Sequence, residues 1–168
     1  MIYSFNGKTP RIAESAYINK TAYIIGDVEI GEECTVWPGA VIRGDISSIK
    51  IGARCHVQDN CVIHAEYPLE IGDNVLLAHC VMMHGAKIGN NTLIGNNATV
   101  LDNAEIGNFC VVAAGAVLPG GMKIPDYSLV AGVPAKIKGR VNDEQLNWVG
   151  RGIPIYVNLA KKYKELGL

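Results

Sequence analysis

A six-residue period constrains this chain more than any other feature. An aliphatic residue recurs at Ile12, Ile18, Ile24, Ile30, Val36 and Ile42. After three extra residues the series resumes at Ile51, Val57 and Ile63, and after an insertion around residues 66–69 it resumes at Ile71, Leu77 and Met83. One residue is then dropped before Ile88, Ile94, Val100, Ile106, Val112, Leu118, Ile124 and Val130. The fourth residue after each of these is usually small or β-branched, as at Ala16, Ala22, Cys34, Ala40, Cys55, Cys61, Ala98 and Cys110. A period of six does not fit the α-helical repeat. It fits a short strand followed by a turn, stacked as a solenoid in which each coil covers the apolar face of the next. The large aliphatic fills the interior, and the small residue sits where the chain turns the corner. Coils would lie about 4.8 Å apart, the spacing of hydrogen-bonded strands. A β-sandwich of irregular alternation is the competing reading. It gives no reason for one period to persist through about twenty repeats.

The period also accounts for most of the cysteines. Cys34, Cys55, Cys61 and Cys110 fall at the small interior position and read as packing residues, whereas Cys80 falls outside it and is expected to be exposed. The pattern changes after Pro134. Asn142 and Gln145 resemble a helix-capping pair, and Pro154 suits the first turn of a helix. Leu159, Tyr163 and Leu166 then form an apolar stripe, so residues 154–166 read as a C-terminal helix covering the side or end of the stack. The expected organisation is a repeat domain over residues 1–140 with a helical segment, 141–168, packed on it. A net charge of -1 gives no reason to expect a nucleic-acid surface. No apolar run approaches the roughly 18–20 residues of a membrane span, and residues 1–10 lack a signal-peptide core. The expectation is a cytoplasmic protein bound to neither membrane nor nucleic acid.

Three hexads make one triangular coil. Counting from Ile51, the series Ile51, Val57, Ile63 opens faces one, two and three, and Ile71, Leu77, Met83 opens the same faces one coil later. His64 and His84 each follow the face-three aliphatic directly. They therefore stack one above the other, about 5 Å apart at Cα. Two imidazole nitrogens on a tetrahedral zinc sit roughly 3–3.5 Å apart, which such a stack permits. His79 lies two places after Leu77, on face two, and could reach that pair only from another subunit. A cyclic trimer setting face two of one solenoid against face three of the next would do so three times. The same columns place Arg43 in line with His64 and Asp59 in line with His79, which predicts an intersubunit Arg43–Asp59 ion pair. Gln58 lies beside Asp59, near the metal. His56 follows Cys55 and is read as a face-one residue, at the surface or behind a ligand.

The stretches VWPGAVIRGDI (residues 36–46), HVQDNCVIH (56–64), AHCVMMHG (78–85) and IPDYSLVAGVPAK (124–136) closely resemble the γ-class carbonic anhydrases and their relatives. The resemblance covers nearly the whole chain. The hexad repeat alone is shared with many acyltransferases; the three histidines together with RGD and QDN are far more specific. The resemblance implies a left-handed parallel β-helix, a homotrimer and three interfacial metal ions. Each ion would be held by His64 and His84 of one subunit and His79 of the next. Zinc is the usual metal of this class, with iron or cobalt as alternatives. Arg43 and Asp59 match the interfacial ion pair, Asp45 the acid that also holds that arginine, and Gln58 the glutamine that orients the attacking hydroxide. The IYVN of residues 155–158 is similar to a C-terminal stretch whose Tyr and Asn approach the site, which brings in Tyr156 and Asn158.

The implied reaction is reversible hydration of carbon dioxide to bicarbonate. There are departures from the active members. Ile46 follows Asp45 where they have a proton-shuttling glutamate, the stretch after His64 is short, and His56 stands where Asn is usual. The pattern is similar to a shorter subgroup whose activity is often weak, absent or redox-dependent. Two rivals remain: an acyl-coenzyme A transferase using one His as general base, and a trimeric metal-binding protein without turnover.

Overall fold

The computed structural model describes residues 1–168. Twenty strands, most of two or three residues, precede a single helix. All but the last wind into a left-handed parallel β-helix of about seven turns, and the last, Ala135–Arg140, turns back antiparallel on Ser128–Gly132. The coil registers are those the period dictates: Ile51 pairs with Ile71, Val57 with Leu77 and Ile63 with Met83. The stacked aliphatics and the small corner residues form one continuous core of 36 buried residues. Cys34, Cys55, Cys61 and Cys110 are buried in it and Cys80 is exposed. The chain turns its corners through residues at positive φ, most often Asn or Gly; Asn60, Asn74, Asn91 and Asn97 all lie between 55° and 58°. These side chains tolerate that conformation at least cost.

The three faces differ in what covers them. Face one carries a column of alternating charge, Arg11, Glu29, Lys50, Glu70, Lys87, Glu105 and Lys123, each paired in register with its opposite. Face two is covered by the helix. Face three is open, and its outward residues Val41, Val62 and Met82 form an apolar column beside Arg43, His64 and His84.

The three breaks in the period fall at one corner, where face three turns into face one, in three successive coils. The first lies inside the long strand Val41–Ile51, whose pairing with Tyr23–Ile30 slips at Gly26/Val28. The second is the insertion after His64. The third is the residue lost after His84, where Gly85 turns at φ 59°. The repeat is therefore irregular beside the histidine column.

The helix runs over Asp143–Glu165, eleven residues earlier than the expected start at Pro154. The Asn142–Gln145 pair is a complete capping box, so the start signal was present and Pro154 is interior. Proline removes only the bond from its own nitrogen to the carbonyl of Gly150, and burial of Leu146, Val149 and Ile153 on face two carries the helix through. A helix of 23 residues is about 35 Å long, matching the height of the stack. It lies along the side, from Val111 and Leu129 near one end to Tyr17 at the other. Tyr156, Leu159, Ala160 and Tyr163 close over Tyr17 and Trp37.

Candidate metal centre

His64 ends the strand Val62–His64, His84 ends Met82–His84, and the two are register partners. Their rings lie 5.2 Å apart, with His64 Nδ1 and His84 Nε2 separated by 3.2 Å. The other nitrogen of each ring meets a carboxylate. His64 Nε2 donates to Asp45 Oδ1 at 3.1 Å, and His84 Nδ1 donates to Asp102 Oδ1 at 2.6 Å. An ionised carboxylate only accepts, so each of these nitrogens carries the hydrogen. In the neutral rings the two facing nitrogens are then both bare. Lone pairs opposed at that distance repel unless a cation lies between them. Backing carboxylates of this kind fix a metal-ligating histidine in the required tautomer.

The period breaks build these supports. The extra residues in Val41–Ile51 let Asp45 turn back beneath His64, where it also bonds Arg43 Nη1 at 2.5 Å. Burial pushes the Asp45 carboxyl up, but the hydrogen bond and charge of Arg43 prevail and hold it below the usual carboxylate range. On the other side, Asp102 can reach His84 because Gly85 has no side chain; a Cβ there would lie 2.7 Å from Asp102 Oδ1. Asp102 is absent from the residues singled out by sequence. It stands two places after Val100, one coil above His84 and one column over, so following single columns misses it.

His79 stands at the corner between faces two and three, half exposed. Its Nδ1 donates to Asp59 Oδ2 at 3.0 Å, which leaves Nε2 bare and directed away from that contact. Within one chain no group of three or more His, Cys, Asp or Glu side chains is arranged to hold a metal ion. The donors thus occur as a pair, His64 and His84, and a separate single, His79. Arg43 bonds Asp45 and Asp59 bonds His79 inside the chain. Gln58 is 3% exposed, and its Oε1 is buried without a hydrogen-bond donor. Tyr156 lies against His56 and Trp37 under the helix, ring centroids 5.3 and 6.1 Å away. Asn158 is on the exposed side of the helix.

His56 departs from expectation. It pairs with Thr35 and Leu76 on face two, not face one, because it immediately precedes the inward Val57 and opens that strand. It is fully buried beneath the helix. Its Nδ1 meets Thr35 Oγ1 at 2.8 Å, and the same hydroxyl accepts Trp37 Nε1 at 2.8 Å. Burial lowers its pKa to about 4, with the Ile153 carbonyl acting weakly in the opposite sense. A neutral ring sealed from water has no means of exchanging protons with solvent at the metal.

The family profile for bacterial transferase hexapeptides (six repeats) matches residues 9–44 and 85–120. A carbonic anhydrase of Geobacillus kaustophilus is 42% identical over 168 residues, covering 99% of this chain and 92% of that one. The mitochondrial γ carbonic anhydrase 2 of Arabidopsis thaliana is 32% identical over 162 residues, covering 92% of this chain and 58% of the plant protein. This chain therefore spans less than two thirds of that relative's length. A Bacillus cereus protein described provisionally as an acetyltransferase has a crystal structure that superposes with a TM-score of 0.96. It is 40% identical and covers 99% of this chain and 98% of its own.

Proposed function

As the chain belongs to the γ-carbonic anhydrase-like family of hexapeptide-repeat proteins, we propose that it is a trimeric, metal-dependent enzyme for the reversible hydration of carbon dioxide. The observation that carries this reading is the pair of bare nitrogens on His64 and His84, 3.2 Å apart, each ring backed by a carboxylate. The separation suits two ligands of one tetrahedral ion. The third ligand is His79 of a neighbouring copy, its tautomer set by Asp59 in the same way. Face three, apolar and uncovered, is the surface that copy occupies, and Arg43 then meets Asp59 across the contact.

A zinc, iron or cobalt ion held there supplies a Lewis acid that makes hydroxide available from water near neutral pH. The chain's own residues do the rest. Gln58 presents a buried, unsatisfied carbonyl oxygen that would accept a hydrogen bond from the attacking hydroxide and so orient it. Asp45, held ionised by Arg43, and Asp102 keep the two imidazoles in place. No side chain on the page relays protons out of the site: Ile46 is exposed where active relatives have a glutamate, and His56 is buried away from solvent. The reading therefore implies slow turnover limited by proton transfer.

Complementation between chains tests the site. His79→Ala and His64→Ala each remove every site from their own trimers. A mixed trimer of the two variants regains one site, formed by the His64–His84 pair of one variant and the His79 of the other. Metal analysis and stopped-flow hydration of carbon dioxide on the refolded mixture should recover about a third of the sites per mixed trimer. Full metal occupancy in His79→Ala alone refutes the reading. Acyl transfer is the second reading, favoured by the likeness to the Bacillus cereus protein. Coenzyme A binding to metal-free protein by calorimetry, unaffected by His79→Ala, would favour it.

A further inference from the structure

The corner between faces one and two carries one residue per coil at positive φ, in the order Glu33, Arg54, Asn74, Asn91, Phe109 and Tyr127. Aromatic rings fill the last two places, at φ 56° and 62°. That conformation is unusual for a bulky residue, and neither ring belongs to the buried core. The two rings stack with centroids 4.9 Å apart and planes 6° apart, and the Arg140 guanidinium lies 5.3 Å from the Tyr127 centroid. Tyr127 thus covers one face of Phe109, and Arg140 in turn steadies Tyr127. The other face of Phe109 looks toward the preceding coil, where the column steps down to the shorter Asn91 and Asn74.

A crevice of about 320 Å³ opens at that step, large enough for a small molecule. Its second wall is the helix: Leu146, Val149 and Ile153 of the inner seam, with Gly150 and Pro154 beside them. No charged side chain lines the space. Its polar atoms are few. Asn74 gives its Oδ1 to Arg54 Nε at 2.7 Å, so its amide nitrogen remains to donate. Asn91 makes no side-chain hydrogen bond within the chain, and both ends of its carboxamide face the crevice side of the corner. Pro154 has no N–H to close the helical bond to Gly150, which leaves the Gly150 carbonyl as an acceptor on the helical wall.

We infer that this crevice binds an adenine-type base, a neutral flat heterocycle with an amino group beside its ring nitrogens. The base stacks on the free face of Phe109. Asn91 pairs with the amine and an adjoining ring nitrogen, as a carboxamide does with adenine through two hydrogen bonds. The Gly150 carbonyl accepts the second hydrogen of the amine, and the Asn74 amide donates to another ring nitrogen. Leu146, Val149 and Ile153 close over the apolar edge. Backbone held in sparsely populated regions gathers at ligand sites, which gives the rings at this corner a purpose that core packing does not. The helix separates the crevice from the corner that carries His79, so base binding and metal binding stand or fail separately.

Calorimetry with adenosine on the full chain loaded with zinc tests this. One adenosine per chain should bind with a Kd of about 0.1 mM, usual for a ligand of that size. Phe109→Ala should weaken binding by about tenfold, the loss of one stacking contact. Pro154→Ala gives the Gly150 carbonyl its helical donor and should weaken binding several-fold with helix content by circular dichroism unchanged. It carries the test should Phe109→Ala fail to fold. Purine riboside, which lacks the amine, should bind about tenfold more weakly than adenosine because the Gly150 and Asn91 oxygens are left unpaired. No saturable binding at millimolar adenosine overturns the inference. So does affinity undiminished in either folded variant, or equal affinity for purine riboside.

Discussion

Asp102 accepts a 2.6 Å hydrogen bond from His84 Nδ1 across a gap that only a glycine at position 85 leaves open. The carboxylate is thus a determinant of which His84 nitrogen is bare. Asp102→Ala should lower metal affinity by about 10–100-fold, the usual effect of removing such a partner. Asp102→Asn, whose amide oxygen still accepts the bond, should lose less. Competition with a chelator of known affinity measures both. Equal affinity in Asp102→Ala and the parent chain would remove Asp102 from the site.

Much of this was legible because the period is also a pairing rule. Once six residues make a side, every residue's neighbour one coil away follows by counting, and His64 over His84 and Arg43 under His64 appear as predicted. Diagonal contacts do not follow from that rule, which is why Asp102 was missed. A residue at a corner is also easily given to the wrong face, as His56 was, since the strand begins one place before the inward aliphatic. Pro154, a residue usual in a first helical turn, masks the true start that the capping pair marks twelve residues earlier. The hand of the solenoid is set by how the corners turn, and no residue count reports it.

Ile46 offers a gain-of-function test. It is 63% exposed in the irregular part of the strand Val41–Ile51, so a charged side chain there costs little. Ile46→Glu adds a carboxylate beside Asp45, where protons leaving the site must pass. If proton release limits turnover, kcat at low buffer should rise by about tenfold or more, and the parent chain should gain similarly from added imidazole buffer. A variant and parent with the same buffer dependence would place the slow step elsewhere.

Pro154 leaves the Gly150 carbonyl without its helical donor in the middle of Asp143–Glu165. Its side chain is exposed, and the inner seam does not depend on it. Pro154→Ala restores the donor and removes the clash with the preceding turn, against a smaller loss of rigidity in the unfolded chain. The variant should be more stable by about 1–2 kcal/mol. Denaturant titration at fixed protein concentration reads this directly, and a destabilised variant would mean that the proline sets the path of the helix over face two.

His56 makes stability depend on pH in a defined direction. Its ring is fully buried, and burial lowers its pKa from 6.5 to about 4. Between these values the unfolded chain binds a proton that the folded chain refuses, so stability rises with pH there. The contribution is complete above pH 6.5, declines as pH falls through the window, and is lost below about 4. A shift of this size is worth about 3 kcal/mol. Protonation would also ask Thr35 Oγ1 to accept from both His56 and Trp37, and so works against the contact holding the helix to face two. His56→Gln, neutral at every pH, should cost some stability near pH 7 through imperfect packing. It should also flatten the slope of unfolding free energy between pH 4 and 6.5 by about one proton. Chemical denaturation across that range at constant protein concentration measures the slope. An unchanged slope would show that the acid sensitivity arises from other groups.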